Sequence, residues 1–265
     1  MKVKIYLDLL RVNHWFKNII IVCGVLVAII YSPEGLEFFD ILFKTALAFL
    51  LASLISSVNY IINQIADISF DKKHPEKKHR PLPSGKISIR NAIVLAIILL
   101  IVCFTISYSI FSASFVISLL ALFLAGILYN IRPIRLKDVP FVDVLSESFN
   151  NPIRLLIGWF VVMQNAFPPI EFLLLVWFVG AVFMTSKRYD ELKFFGKKLV
   201  PYRHTFNKYT LVSLRNLIFL YSGISLLLIA YIMWIYQRNM LILWPLYLVF
   251  FIWLNKTVIS GSANA

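Results

Sequence analysis

Three oxygen-bearing side chains recur at intervals of four residues near the end of an apolar segment: Asn63, Asp67 and Asp71. In a helix each step of four residues rotates by only about 40°, so these side chains share one face. Mg²⁺ takes one or two carboxylates and completes its shell with water and substrate phosphates. The spacing therefore predicts a Mg²⁺ site, and the alternative is a polar helix end that simply meets water.

A dense basic loop follows these acids directly. Residues 72–85 carry Lys or Arg at five positions, and their prolines and glycine favour a shaped turn over a longer helix. Lysine and arginine can neutralise the phosphate oxygens that a metal leaves uncovered, arginine through two parallel hydrogen bonds. The pairing of acids and bases predicts diphosphate binding, with Lys77 and Arg80 as candidate contacts.

A second polar stripe lies further along the chain, in an otherwise apolar segment. Asp143, Glu147 and Asn151 are spaced by four, and Arg154 lies seven residues beyond Glu147. A charge at mid-membrane costs about 2.5–3.5 kcal/mol even on permissive scales, so the stripe should face the interior of a bundle, with Glu147 and Arg154 paired or bridged. We interpret it as a polar wall of a binding pocket that includes Arg154; an internal ion network is the alternative.

The elements that must position these residues are membrane helices. The 265 residues are 60% hydrophobic and 15% charged, which is too apolar for a soluble domain. Apolar runs reach the length of about 20 residues that a crossing needs, and the 41-residue run Asn91–Ile131 has a polar break at Ser107–Ser114. We predict an all-α, polytopic helix bundle with eight spans, the fifth starting at the polar stripe and the eighth covering Asn239–Asn255.

The basic residues predict the orientation, since Lys and Arg accumulate in cytoplasmic loops. With the N-terminus inside, 23 of the 26 basic residues fall on the inner side. We therefore expect a multi-pass protein of the cell membrane with its N-terminus and acidic and basic loops in the cytosol. The net charge of +13 reflects this topology and an attraction to anionic lipid, and nucleic acid is excluded as a partner because no soluble module carries the charge.

The acidic motif and the basic loop after it resemble a motif of a known protein family. Asn63-x-x-x-Asp67-x-x-x-Asp71, followed by His74-Pro75-x-Lys77-x-x-Arg80-Pro81, is similar to the first aspartate-rich motif of the UbiA superfamily of intramembrane prenyltransferases. Three further segments along the chain share the resemblance: Trp15-x-Lys17-Asn18, Tyr129–Lys137 and Lys187–Glu191. The resemblance implies one transmembrane domain over residues 1–265, with two four-helix pseudo-repeats around a central cavity and usually nine spans.

The resemblance also implies roles for individual residues. Asn63, Asp67 and Asp71 would hold Mg²⁺, and Asp67 and Asp71 would be catalytic. The second acidic motif, residues 186–191, would add the catalytic acids Asp190 and Glu191. Further substrate contacts would come from Tyr129, Lys137, Lys187 and Arg188.

The second acidic motif departs from the family's usual Asp-x-x-x-Asp. Four residues before Asp190 stands Ser186, and four before Glu191 stands Lys187. We therefore expect that a second Mg²⁺ lacks its usual pair of carboxylates and that Lys187 and Arg188 bind phosphate directly.

The function implied is Mg²⁺-dependent transfer of a polyprenyl group from its diphosphate to an acceptor in the membrane. The alternative within the family is phosphoribosyl transfer from phosphoribosyl diphosphate to a polyprenyl phosphate, which the Trp15–Asn18 and Lys187–Glu191 segments resemble. A transporter is a third interpretation, which the position of the acidic cluster at the edge of a span disfavours. The expected partners are an isoprenoid diphosphate or polyprenyl phosphate and the lipid bilayer; no oligomeric state is predicted.

Overall fold

The computed structural model describes residues 2–32, 37–72, 77–196, 200 and 204–236, together with residues 245, 247–249, 251, 252 and 256. The described residues form helices and connecting turns. The α-helices are α1 (Lys2–Leu10), α2 (Ile20–Tyr31), α3 (Phe38–Ala66), α4 (Ile68–Asp71), α5 (Ile89–Ile110), α6 (Ala113–Asn130), α7 (Val142–Ser148), α8 (Asn150–Val162), α9 (Ile170–Phe195) and α10 (Leu211–Tyr236). The prediction of an all-α membrane protein is confirmed.

Six helical segments in the described part of the chain are long and apolar enough to cross a membrane. They are Val3–Tyr31, Phe38–Ala66, Ile89–Ile110, Ala113–Asn130, Ile170–Phe195 and Leu211–Tyr236. The predicted count of eight is not confirmed. The predicted fifth span is divided by a turn at Phe149 into α7 and α8, of 7 and 13 residues. The predicted eighth, Asn239–Asn255, lies largely outside the described residues.

The polar break in the long apolar run is confirmed. Helix α5 ends at Ile110 and α6 begins at Ala113. The hydroxyl of Ser112 accepts a hydrogen bond from the backbone N–H of Phe115 at 3.4 Å, which satisfies one of the N–H groups that a helix start leaves unpaired. The same kind of cap starts α5, where Ser88 accepts from the N–H of Asn91.

The chain divides into two compact units, and the first comprises residues 1–135 and 153–168. Its centre is α3, which packs against α5 and α6. Helices α2 and α8 come into backbone contact at two glycines: a Cβ on Gly158 would lie 1.9 Å from the carbonyl oxygen of Ile21, and one on Gly24 would lie 2.3 Å from that of Leu155. Small residues allow this close approach, as is usual between membrane helices.

The second unit comprises residues 136–152 and 169–265. Its main contact is the pairing of α9 with α10, and α7 packs on α9. The indole N–H of Trp177 donates to the carbonyl oxygen of Leu145 at 2.9 Å. Gly180 leaves room for the side chain of Asn151, since a Cβ there would lie 2.1 Å from the amide nitrogen. That contact places Asn151 of the polar stripe against α9. The domain assignment over residues 1–265 stays a prediction.

Candidate functional site

The first acidic motif keeps its helical spacing although α3 ends at Ala66. Asp67 is the C-terminal cap of α3 and Asp71 the last residue of α4. The N–H of Asp67 still donates to the carbonyl of Asn63 at 3.0 Å, and that of Asp71 to the carbonyl of Asp67 at 2.8 Å. These bonds preserve the helical i to i−4 pattern across the cap. The backbone thus keeps the four-residue spacing, although Asp67 itself departs from helical angles (φ −105°, ψ 4°), and the shared side-chain face of Asn63, Asp67 and Asp71 stays a prediction.

Asp71 is held by the basic loop that follows it. Its carboxylate is 4% exposed, and Oδ2 accepts from Nη1 of Arg80 at 2.7 Å. The loop folds back through a hydrogen bond from the N–H of Arg80 to the carbonyl of Lys77, both partly exposed. The predicted association of Arg80 with the acidic motif is thus visible as an ion pair, while His74 and Pro75 of the same motif lie outside the described residues.

Asp67 has an arginine partner from a different part of the sequence. Its Oδ1 accepts from Nη2 of Arg135 at 2.9 Å, and the two side chains are 21% and 12% exposed. Arg135 follows α6 in a turn that is closed by a hydrogen bond from its N–H to the carbonyl of Ile131 at 2.8 Å. Arg135 belongs to the Tyr129–Lys137 segment, but the sequence predicts no pairing for it, because 68 residues separate the two partners.

A cavity of about 670 Å³ lies beside the Asp67–Arg135 pair. Its walls are mainly apolar and come from the end of α3, from α4, from the start of α5 and from the turn after α6. The lining residues are Ile62, Ile65, Ala66, Ser69, Phe70, Ile93, Asn130, Ile131, Arg132 and Arg135. The arrangement places an arginine that binds an acid of the first motif at the edge of an apolar space, which suits an amphiphilic molecule with an anionic group.

The donor set of the first acidic motif fits Mg²⁺. It offers two carboxylates and one carboxamide, while no group of three or more His, Cys, Asp and Glu side chains that could hold a metal occurs among the described residues. Mg²⁺ does not require such a group, since it keeps several waters and shares its shell with substrate phosphates. In the structure the two carboxylates are each charge-compensated by an arginine, Arg135 and Arg80.

Three further residues predicted to contact substrate, Lys77, Tyr129 and Lys137, differ in their solvent exposure. Tyr129 lies near the end of α6 and is partly exposed, as is Lys77. Lys137 is 7% exposed in a short turn, Leu136–Asp138, that opens the second unit. The structure does not test their assignment as substrate contacts.

Arg154 is buried and is bound by the N-terminal segment. Its Nε donates to Oδ1 of Asn18 at 2.7 Å, and Nδ2 of Asn18 donates to the hydroxyl of Ser53 at 2.8 Å. Next to this chain, the indole N–H of Trp15 donates to the hydroxyl of Ser57 at 3.0 Å. The Trp15–Asn18 segment is thus hydrogen-bonded to two serines of α3 and to Arg154. The predicted pairing of Arg154 with Glu147 stays a prediction.

Arg188 lies at the centre of the second acidic motif. It is 1% exposed, and three of its nitrogens donate to three carboxylates: Nε to Asp143 at 3.2 Å, Nη2 to Glu147 at 3.0 Å and Nη1 to Glu191 at 3.0 Å. The polar stripe of α7 thereby meets α9 within one unit. The two acids of the stripe, Asp143 and Glu147, are therefore both bound to the same arginine.

Tyr209 completes this network and was not anticipated from the sequence. Its hydroxyl donates to Asp143 and accepts from the backbone N–H of Phe141 at 2.9 Å. Burial raises the pKa of the Tyr209 hydroxyl above its ordinary value, and the negative charge of Asp143 raises that pKa further. No spacing rule connects a tyrosine before α10 with an acid in α7, so the contact had no signal in one sequence.

Lys187 and Asp190, which lie close to Arg188 in sequence, are more exposed than Arg188. Lys187 is exposed, on a face of α9 that also carries Asp190. One carboxylate oxygen of Asp190, Oδ1, is buried without a hydrogen-bond partner among the described residues. The predicted roles of Lys187, Arg188, Asp190 and Glu191 in binding or catalysis stay predictions.

The fold and these residues define a class of protein: a multi-pass, all-helical membrane protein with an arginine-compensated acidic motif at a helix end. The chain belongs to the UbiA prenyltransferase family, whose family model matches residues 21–262. The family predicted from the sequence motifs is confirmed, and with it an enzyme of the prenyltransferase type.

Curated relatives include two kinds of transferase. The chain is 25% identical over 231 residues to a decaprenyl-phosphate phosphoribosyltransferase of Mycobacterium tuberculosis, covering 87% of this chain and 73% of the relative. It is 30% identical over 167 residues to a 4-hydroxybenzoate octaprenyltransferase of Francisella tularensis, covering 63% of this chain and 56% of the relative.

The fold also matches solved structures. A UbiA homologue from Archaeoglobus fulgidus bound to GPP and Mg²⁺ superposes with a TM-score of 0.77 at 19% identity, over 98% of this chain and 89% of that one. A UbiA homologue from Aeropyrum pernix superposes with a TM-score of 0.68 at 14% identity, over 94% and 90%. At these identities the likeness shows the fold.

Proposed function

We propose that the chain is a Mg²⁺-dependent intramembrane transferase that moves a polyprenyl group from its diphosphate to a membrane-associated acceptor. The observation that carries the proposal is the position of Asp67 and Asp71: both are bound to arginines, and Arg135 also lines a mainly apolar cavity of about 670 Å³. The arginines could bind the diphosphate of a polyprenyl diphosphate, and the apolar walls of the cavity could bind its isoprenoid chain.

Mg²⁺ held by Asn63, Asp67 and Asp71 would neutralise the charge that develops on the diphosphate as it leaves. Arg80 and Arg135 supply positive charge at the same place, and a guanidinium can bind phosphate oxygens through two parallel hydrogen bonds. Lys77 is the further candidate from the basic loop. Preorganised cations of this kind stabilise a leaving anion because they need no rearrangement when the charge appears.

The apolar cavity would accept the start of the isoprenoid chain. Ile62, Ile65 and Ile93 lie along its walls, while Arg132 and Arg135 lie at the turn after α6. This arrangement lets the polar headgroup remain at the membrane edge while the chain stays in an apolar environment. A structural neighbour solved with GPP and Mg²⁺ supports this class of ligand. For Arg154 we propose a role in the wall of the acceptor pocket, and we propose that the acidic and basic loops face the cytosol.

A second candidate function shares the same first motif. In it, phosphoribosyl diphosphate is the donor and a polyprenyl phosphate is the acceptor. The specific observation that favours it is the match to decaprenyl-phosphate phosphoribosyltransferases over 87% of this chain, which is more of the chain than the match to the octaprenyltransferase covers. The polar anchoring of the Trp15–Asn18 segment belongs to the part of the sequence that resembles this branch.

One experiment separates the two donors. Purified protein in native lipid is supplied with Mg²⁺ and either radiolabelled polyprenyl diphosphate or radiolabelled phosphoribosyl diphosphate, together with polyprenyl phosphate and an aromatic acceptor. We expect the prenyl label in the prenylated acceptor, which must be separated from the unreacted polyprenyl diphosphate because that donor is itself a lipid. Label from phosphoribosyl diphosphate in the lipid fraction would instead assign the second function, and the Asp67→Asn variant controls for transfer that does not depend on the first motif.

A further inference from the structure

The second acidic motif, residues 186–191, contains a positively charged side chain, Arg188, among its acids. The guanidinium of Arg188 is 1% exposed and lies between the carboxylates of Asp143, Glu147 and Glu191, at 3.2, 3.0 and 3.0 Å. Each of these acids therefore accepts a charge-assisted hydrogen bond from a different nitrogen of one side chain.

We propose that Arg188 takes the place of a metal ion at the second acidic motif, so that this part of the chain binds no divalent cation of its own. A divalent cation and a guanidinium serve the same purpose among converging carboxylates, because each supplies positive charge where several negative groups meet. They differ in that the guanidinium is covalently attached and always charged. The inference rests on the proposed function only for its contrast with the first acidic motif, where Mg²⁺ is expected.

The local structure explains why the arginine reaches all three acids. Glu191 lies three residues after Arg188 on α9, and Asp143 and Glu147 lie four residues apart on α7, so both helices present a single face. Asp143 is fully buried and is also held by the hydroxyl of Tyr209, which fixes its orientation. The network is therefore built into the packing of α7, α9 and the segment before α10.

The sequence of the motif agrees with this assignment. A pair of metal-binding acids at helical spacing would need a carboxylate four residues before Asp190 or Glu191, and Ser186 and Lys187 occupy those positions. Ser186 instead donates to the carbonyl of Val182 at 2.7 Å. Asp190 keeps a buried oxygen without a hydrogen-bond partner among the described residues and lines a cavity with Glu191, so its variant is a separate test of the inference.

Arg188 is accordingly a positioning residue. It sets the orientation of Glu147 and Glu191, whose side chains remain 25% and 31% exposed and can still meet a ligand on their outer sides. The two acids of the polar stripe are explained in the same way, because Asp143 and Glu147 both accept hydrogen bonds from Arg188 on α9.

Divalent-cation binding can be measured without turnover. The full chain in detergent is titrated with Mn²⁺ in the presence of inorganic diphosphate, and bound Mn²⁺ is counted by electron paramagnetic resonance. The variants are Glu191→Gln, Asp190→Asn, the first-motif pair Asp67→Asn/Asp71→Asn, and Arg188→Gln alone or combined with Glu191→Gln.

We expect Glu191→Gln and Asp190→Asn to bind as many Mn²⁺ ions as the parent chain, and the first-motif pair to bind fewer. Folded Arg188→Gln should bind one additional ion, which Glu191→Gln should remove again. A loss of Mn²⁺ in Glu191→Gln or Asp190→Asn alone would overturn the inference, as would folded Arg188→Gln without an additional ion. If Arg188→Gln does not fold, the two acid variants decide. Failure of the proposed function would appear separately, as normal transfer by Asp67→Asn.

Discussion

The guanidinium of Arg154 donates through Nε to the amide oxygen of Asn18 at 2.7 Å, across 136 residues of sequence. Asn18 is 1% exposed and Arg154 is 8% exposed, so the hydrogen bond lies in the interior of the first unit. It joins the N-terminal segment to α8. A hydrogen bond to a charged group in such surroundings contributes more to stability than a neutral one.

We therefore expect Asn18→Ala and Arg154→Met to lower stability in a non-additive way. A double-mutant cycle should give a coupling energy of about 1.5–3 kcal/mol, measured from thermal or denaturant unfolding in detergent. The exposed pair Lys44–Asp40 is the control, and its coupling should be about 0.3–0.5 kcal/mol. Simple additivity of Asn18→Ala and Arg154→Met would show that this contact contributes nothing specific.

Asp67→Asn should abolish transfer while the protein stays folded. The carboxylate is 21% exposed and paired with Arg135, which is 12% exposed, so its loss should cost about 1.5–3 kcal/mol of stability. Turnover at saturating Mg²⁺ is the measurement, with size-exclusion behaviour as the test of folding. Asp40→Asn, in the first turn of α3, is the control and should remain active. Near-normal turnover of Asp67→Asn would remove this residue from the metal site.

Cysteine accessibility should place both basic segments in the cytosol. In a background without Cys23 and Cys103, single cysteines at the exposed positions Lys78 and Lys208 should resist an impermeant thiol reagent applied to intact cells. A cysteine at the exposed Asn165, before α9, should react from outside and serves as the control. Reaction at only one of the two basic segments would mean that the predicted number of spans is wrong, and reaction at both would contradict the orientation predicted from the charges.

Tyr209→Phe should be destabilising up to moderately alkaline pH and less so beyond it. The folded-state pKa of Tyr209 is raised by burial and by Asp143 above the unfolded value of about 10. A raised folded pKa means that the neutral hydroxyl contributes fully below the unfolded pKa, and that this contribution falls as pH rises through the folded pKa. Unfolding of both proteins between pH 7 and 11 should show the stability difference shrinking above about pH 10. A constant difference would place the Tyr209 hydroxyl outside the network.

Gly158→Ala should be destabilising by about 1–3 kcal/mol, since its Cβ would lie 1.9 Å from the carbonyl oxygen of Ile21 and the backbone of α2 must move. Gly223→Ala is the control: it lies within helix α10, as Gly158 lies within α8, and nothing lies within 4 Å of its Cβ. Alanine is the better helix former by about 0.5–1 kcal/mol, so the control should be neutral or slightly stabilising. Equal melting temperatures for the two variants would contradict the close contact.

Local patterns were enough to predict several features of this protein. The four-residue spacing of Asn63, Asp67 and Asp71 implied a shared helix face, and the serines around residue 112 implied two helices where the apolar run is continuous. Both features depend on residues close in sequence. The break at Ser112 is confirmed, and backbone hydrogen bonds link Asn63 to Asp67 and Asp67 to Asp71, while their shared side-chain face stays a prediction.

The partners of the charged residues were not predictable in the same way. Arg135 binds Asp67 from 68 residues away, and Arg188 binds Asp143 from 45 residues away. These choices depend on which helices pack together, and one sequence does not contain that information. The break between α7 and α8 at Phe149 was missed, although Asn150, Asn151 and Pro152 at the start of α8 are residue types that commonly begin a helix.

The contact between α2 and α8 bears on how the chain is made. Residues 153–168 belong to the same compact unit as residues 1–135, yet residues 136–152 between them belong to the other unit. During synthesis α2 therefore enters the membrane with the face around Gly24 uncovered, and the first unit closes only after more than a hundred further residues have been translated. A ribosome that stalls before α8 leaves an incomplete unit, so we expect the nascent chain up to that point to depend on protection of the exposed face of α2.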